Sequence, residues 1–213
     1  MLEIVFIVII YFFSIVIHEV AHGAAAYMLG DPTAKNAGRL TLNPLPHIDP
    51  FGTVLLPLVM ALPAFFGARP LIFGWARPVP FNPMFFKNIR RGTFLVSIAG
   101  VSANLSLAII FSVFLRFLDP LLSGYLSAVM IQSLATVFST VVIANLVLGI
   151  FNLFPIPPLD GSRVLFSLLP DRFTKLQMML EQYGLFLLIA LIVFLPGLLS
   201  SLVFFVFRLL VGA

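Results

Sequence analysis

Five consecutive residues, His18-Glu19-Val20-Ala21-His22, carry the reactive side chains of an otherwise almost wholly apolar stretch over residues 2–29. On a helix, positions i and i+4 share one face, so the two imidazoles can grip one metal ion. Glu19 projects about 100° away around the same helix. There it can take a proton from a water molecule without being a ligand itself. Two histidines and a glutamate at this spacing bind zinc and activate water for hydrolysis. A single histidine here would read as an interior residue hydrogen-bonded to a neighbouring helix. The full pattern inside hydrocarbon, where ionisable groups are costly, reads as a metal site.

Catalytic zinc takes three protein ligands and keeps one position open. Asp31, His47, Asp49 and Asp160 are the candidates for the third. The chain has no cysteine, so a thiolate ligand is excluded. His47 lies in His47-Ile48-Asp49-Pro50 and reads as a turn or structural residue. Asp160 ends the stretch Asn152-Leu153-Phe154-Pro155-Ile156-Pro157-Pro158-Leu159-Asp160-Gly161. Its three prolines forbid regular helix. Irregular backbone near membrane depth survives only where it is buried in protein or lines a cavity. Asp160 is the one candidate beside a broken membrane helix; its plainer reading is the N-cap of a helix starting near Gly161.

These residues are positioned by apolar helices. The 213 residues are 61% hydrophobic and 9% charged, with formal net charge +4 and mean hydropathy +1.15. That composition predicts an all-α polytopic membrane protein and excludes a soluble enzyme or nucleic-acid binder. About four spanning helices are expected, over residues 2–29, 93–118, 126–151 and 183–211, with Pro196 as a kink in the last. Residues 2–29 read as a retained span, since no basic residue precedes the apolar run. Residues 30–92 hold a short β element near 38–43, where polar and apolar residues alternate. They also hold a re-entrant apolar hairpin over 53–75 and a basic segment. A short interfacial helix is expected over 162–169. Residues 1–213 read as one membrane-embedded domain. Gly100-Val101-Ser102-Ala103-Asn104 puts small residues and an amide inside the second span. Asn104 reads as a helix–helix packing and hydrogen-bonding site, or as a direct substrate contact.

With both motifs placed, the chain resembles the site-2 protease family of intramembrane zinc metalloproteases. His18-Glu19-Val20-Ala21-His22 matches the family's zinc motif, and Asn152-x-x-Pro155-x-Pro157-x-Leu159-Asp160-Gly161 matches its second motif. Gly38–Thr53 and Phe73–Pro83 look like a compact prokaryotic branch without a PDZ or CBS domain. Val101 departs from the family, which often has proline there. The resemblance implies one Zn2+ per chain, held by His18, His22 and Asp160, with Glu19 as general base. It implies substrates that are transmembrane segments of other membrane proteins, cut within the bilayer. It also implies that the segment around Asn152, Pro155 and Pro157 contacts substrate.

A helical substrate hides its carbonyls in i→i−4 bonds and must unwind before attack. The β element near 38–43 is expected to receive the unwound segment by edge addition. One metal can join His18 and Asp160 only if the two helix ends face the same side. Residues 93–118 and 126–151 already make two crossings, so 53–75 must make none, turning near 65–69. Ten of the twelve basic residues then share the face of the active site. The positive-inside rule makes that face cytoplasmic, in the cell membrane of a prokaryote. A metal transporter or channel would spread polar residues along its spans and often repeat its halves. A non-cleaving protease-like scaffold is the remaining rival, against which intact Glu19 and Asp160 stand.

Overall fold

The computed structural model describes residues 2–62 and 74–212. The described residues form eight α-helices and short 3-10 and π turns. The helices are α1 (Leu2–Met28), α2 (Thr33–Asn36), α3 (Leu56–Ala61), α4 (Ile89–Leu122), α5 (Ala128–Asn152), α6 (Asp160–Leu168), α7 (Thr174–Phe194) and α8 (Pro196–Val211). Four stretches are long and apolar enough to cross a membrane: Val5–Met28, Ile89–Leu118, Ala128–Asn152 and Asp171–Phe194. Apolar side chains such as Val8, Ile109, Phe114 and Phe186 face outward, as lipid solvation allows. The chain is a multi-pass membrane protein.

α4 is the axis of the bundle, packing on α1, α5, α6 and α8. The five-residue link to α5 makes α4 and α5 antiparallel neighbours. Ala108 of α4, Val142, Leu146 and Ile150 of α5 and Val203 of α8 form one apolar cluster. α1 also runs antiparallel to α4. Low numbers on α1 meet high numbers on α4: Ser14 meets Asn104, and His22 meets Val96. The C-terminal end of α1, the N-terminal end of α4 and the C-terminal end of α5 therefore share one side of the bundle.

Two expectations are corrected. There is no strand among the described residues, so the β element over 38–43 is absent. Gly38 takes φ +66°, a left-handed value that suits glycine and breaks an extended run. Arg39 then turns inward to only 6% exposure. The alternation of polar and apolar residues there reflects a folded turn, not a pleat. The last span also differs. α7 begins nine residues before position 183, taking Lys175, Gln177 and Glu181 into the helix. Pro196 opens a separate α8 instead of kinking one helix. Proline has no N–H to give and tolerates the first helical turn, so the chain breaks at Leu195.

The turn expected near 65–69 lies outside the described residues. The two ends of the apolar segment meet: Trp75 N–H donates to Gly52 O at 3.1 Å, and Thr53 Oγ1 donates to Trp75 O at 2.8 Å. The rings of Phe51 and Trp75 stand 5.9 Å apart. Gly52 and Thr53 are thus held against Trp75. Residues 74–82 then have no regular secondary structure, and Pro78 and Pro80 bar helix there.

Candidate active site

α1 carries His18 and His22 one turn apart on its face toward α4. Gly100 of α4 makes the approach possible. A Cβ there would lie 2.5 Å from His22 Nε2 and 2.7 Å from His18 Cε1, closer than side-chain atoms approach. Asp160 arrives from the other side. α5 ends at Asn152, and the proline-rich turn is held by Ile156 N–H to Phe154 O and Leu159 N–H to Ile156 O. Leu159 is the N-cap of α6. Asp160 is the first residue inside the helix, so its carboxylate is not the cap and is free to point at the histidines. Only glycine fits at 161, where a Cβ would collide with the carbonyls of Leu153 and Phe154. That close approach folds α6 back onto the end of α5.

His18 Nε2, His22 Nε2 and Asp160 Oδ2 form a triangle with all three sides 3.0 Å. All three residues are buried, at 5%, 6% and 6% exposure. The opposite ring nitrogens set the tautomers. His22 Nδ1 lies 2.7 Å from Val96 O, a carbonyl that can only accept, so Nδ1 carries the proton. His18 Nδ1 lies 2.6 Å from Asn104 Oδ1. The Asn104 amide is oriented by Nδ2, which donates to Ser14 O at 3.2 Å and to Asn145 Oδ1 at 2.8 Å. Asn145 Nδ2 in turn donates to Ser14 Oγ at 3.0 Å. Both Nε2 atoms therefore present lone pairs to each other and to a carboxylate oxygen. Three buried acceptors converging without a proton to share are repulsive unless a cation sits among them. Two neutral imidazoles and one carboxylate are a donor set that zinc prefers. Each imidazole's second nitrogen is anchored, as metal-bound histidines usually are.

The other candidates for the third position are engaged elsewhere. Asp49 accepts from Phe51 N–H and Gly52 N–H. Asp31 accepts from Thr33 and from Asn82 N–H. His47 is fully buried in a 3-10 turn, with Nε2 2.9 Å from Thr41 O. Among the described residues, His18, His22 and Asp160 are the group able to hold a metal.

Glu19 is half-buried, and its Oε2 accepts from Val79 N–H at 2.8 Å. Of the residues expected to meet substrate, Asn104 has no exposure and sits behind His18. Asn152 donates Nδ2 to Leu148 O on its own helix. Pro155 is exposed, while Pro157 is buried against Gly184 of α7. Pro157 also lines a cavity of about 630 Å³ with Arg90, Ser162, Arg163 and Glu181. Asn145, buried at the centre of the bundle, supports Asn104 from α5. Nothing in the sequence pointed to Ser14 or Val79, whose parts are played by a short side chain and a backbone N–H.

The family described as Peptidase family M50 matches residues 5–195. The chain belongs to peptidase family M50, the site-2 protease family. The chain is similar to the "Putative zinc metalloprotease YwhC" of Bacillus subtilis, 43% identical over 88% of this chain and 80% of that one. The "Putative zinc metalloprotease Rip2" of Mycolicibacterium smegmatis is 29% identical over 89% of this chain and 68% of that one. The Mycobacterium tuberculosis protein of the same name is 31% identical over 71% and 52%. No solved structure matches the chain. This M50 protein is a membrane zinc metalloprotease.

Proposed function

We propose that this M50 protein hydrolyses peptide bonds within transmembrane segments of other membrane proteins, and that residues 1–213 act as one membrane-embedded protease domain. The observation that carries the reading is the His18–His22–Asp160 triangle, built from an apolar helix and a broken one. His18, His22 and Asp160 would hold the zinc. When bound, zinc lowers the pKa of its water toward about 7 and polarises a carbonyl.

Glu19 is the general base. It leaves the histidine face of α1 yet stays one residue from His18, so it takes a proton from water and delivers it to the leaving amine. Asn104, Asn145 and Ser14 hold the His18 ring and its tautomer. Asn104 therefore acts behind the site, on His18, in place of the substrate contact expected of it. Asn152, Pro155 and Pro157 remain the proposed substrate contacts, with Pro155 exposed at the turn. The cavity beside Pro157 is also lined by Arg163, whose Nη1 is 3.9 Å from Asp160 Oδ1. It supplies a route for water from one face.

That face is cytoplasmic in this reading, and the membrane is a prokaryotic cell membrane. Arg90 pairs with Asp171 near the start of α4. Near its far end, a Cβ at Gly212 would stand 3.2 Å from Arg116. Residues 90 and 116 are about 39 Å apart along a helix. α7 and α8 together thus make one net passage alongside α4. This supports an outward C-terminus, with most basic residues on the side of the active site.

The test is reconstitution with a substrate that has one transmembrane helix, followed by mass-spectrometric mapping of the products. The expected cut lies inside the apolar segment and is absent with Glu19→Gln. Cutting confined to soluble loops would contradict the reading.

A further inference from the structure

Residues 74–82, which have no regular secondary structure, pack against α1 beside the zinc motif, with Val79 against both Glu19 and Gly23. The segment begins at the Trp75–Gly52 bond and ends where Asn82 N–H donates to Asp31 Oδ2 at 2.6 Å. On the way, Arg77 N–H donates to His47 O at 2.9 Å. Near its end, the Arg163 guanidinium sits 5.5 Å over the Phe81 ring. The strap therefore reaches from Glu19 on α1 to the helix that carries Asp160.

Its proline spacing has a chemical consequence. Pro78 and Pro80 have no N–H, so Val79 supplies the sole backbone donor of residues 78–80. That donor goes to Glu19 Oε2 at 2.8 Å. The neighbouring carbonyls are also taken: Arg39 Nη2 donates to Arg77 O, and to Pro78 O at 3.3 Å. Arg39 is 6% exposed, and its charge lies close enough to act on Glu19. A guanidinium buried beneath a proline-rich strap, gripping the two carbonyls before the Val79 N–H, fixes where that N–H points.

We propose that Arg39 is a positioning residue of the protease: it clamps the strap so that Val79 N–H holds the Glu19 carboxylate in its working orientation. This rests on Glu19 acting as general base. The clamp constrains one carboxylate oxygen. The other is left for water. An unclamped glutamate would sample rotamers that turn it away from the histidine face, and small misplacements of a reacting group cost up to roughly 100-fold in rate.

Two readouts on the full-length protein in detergent test this. The first is hydrogen exchange. Val79 is the lone exchangeable amide between Pro78 and Pro80, so its exchange is assigned without ambiguity. It should be slow in the wild type and at least tenfold faster in Arg39→Gln and in Glu19→Ala. The second is cleavage of the transmembrane substrate, with zinc content measured on the same samples. Val79→Pro and Arg39→Gln should lose roughly 10–100-fold in kcat, with KM and zinc within about twofold, and Arg39→Lys should recover part of the loss. Fast Val79 exchange in the wild type would overturn the proposal. So would wild-type kcat in Val79→Pro, or a loss in Arg39→Gln that follows lost zinc or raised KM. If Val79→Pro does not fold, the exchange data and the Arg39→Gln and Arg39→Lys pair decide. If Glu19→Gln itself turns over normally, the general-base reading has failed, and that result is distinct from failure of the clamp.

Discussion

His18 and Asn104, 86 positions apart in the chain, are joined by a hydrogen bond of 2.6 Å from the imidazole Nδ1–H to the amide oxygen. The bond ties the zinc motif on α1 to α4 and commits the His18 Nε2 lone pair to the centre of the site. Removing such an anchor typically costs 10–100-fold in metal affinity. Asn104→Leu should therefore release zinc at roughly 10–100-fold lower chelator concentration than the wild type. Asn145→Ala, one bond further out, should have a smaller effect in the same direction. Zinc retained after dialysis against graded chelator measures both; equal retention by Asn104→Leu would remove the amide from the site's support.

Gly100 is the matching constraint on the other helix face. Gly100→Ala should displace the histidines, lowering zinc content and cleavage together. Gly124→Ala is the control, since a Cβ there meets nothing within 4 Å. Wild-type zinc in Gly100→Ala would show that α1 and α4 separate more easily than their packing implies.

The zinc motif was legible because two histidines four residues apart declare both a helix and a shared face. Asp160 was legible because three prolines beside a spanning helix left an irregular backbone with one acid in it. The β element failed because period-two alternation over 38–43 is also what a turn with one inward arginine produces. The Glu19–Val79 bond had no signal at all: its donor is a backbone N–H sixty positions away. The α7–α8 break was marked by Pro196, yet the apolar residues on both sides made a kinked single helix the simpler reading.

Asp31 gives the fold a pH dependence of definite sign. Burial pushes its carboxyl up, but hydrogen bonds from the Thr33 hydroxyl and from the N–H groups of Asn82 and Thr33 outweigh burial and hold its pKa below the ordinary 3.8. A depressed folded value stabilises above the unfolded value and loses that contribution as pH falls through the folded one. Asp31→Asn should lower Tm at neutral pH and flatten the drop in Tm on acidification below about pH 4. Identical acid profiles for the two proteins would contradict this.

The membrane orientation is open to single-cysteine labelling, because the chain has no cysteine of its own. Lys35→Cys, Lys87→Cys and Lys175→Cys should react only with reagent that enters the cytoplasm, and Ser123→Cys should react from outside. Labelling of position 87 from outside, with position 35 inside, would make residues 53–75 a true crossing, against the meeting of their ends at Gly52 and Trp75.

The central claim is that three residues from two distant motifs hold one catalytic zinc while Glu19 works beside it without holding it. The direct measurement is zinc per chain and turnover of a transmembrane substrate on the same purified samples. Wild type should carry about one zinc and cleave. Glu19→Gln should keep the zinc and lose roughly 10²–10⁴ in rate. Asp160→Ala should lose both. Full zinc in Asp160→Ala, or near wild-type turnover by Glu19→Gln, would contradict the account.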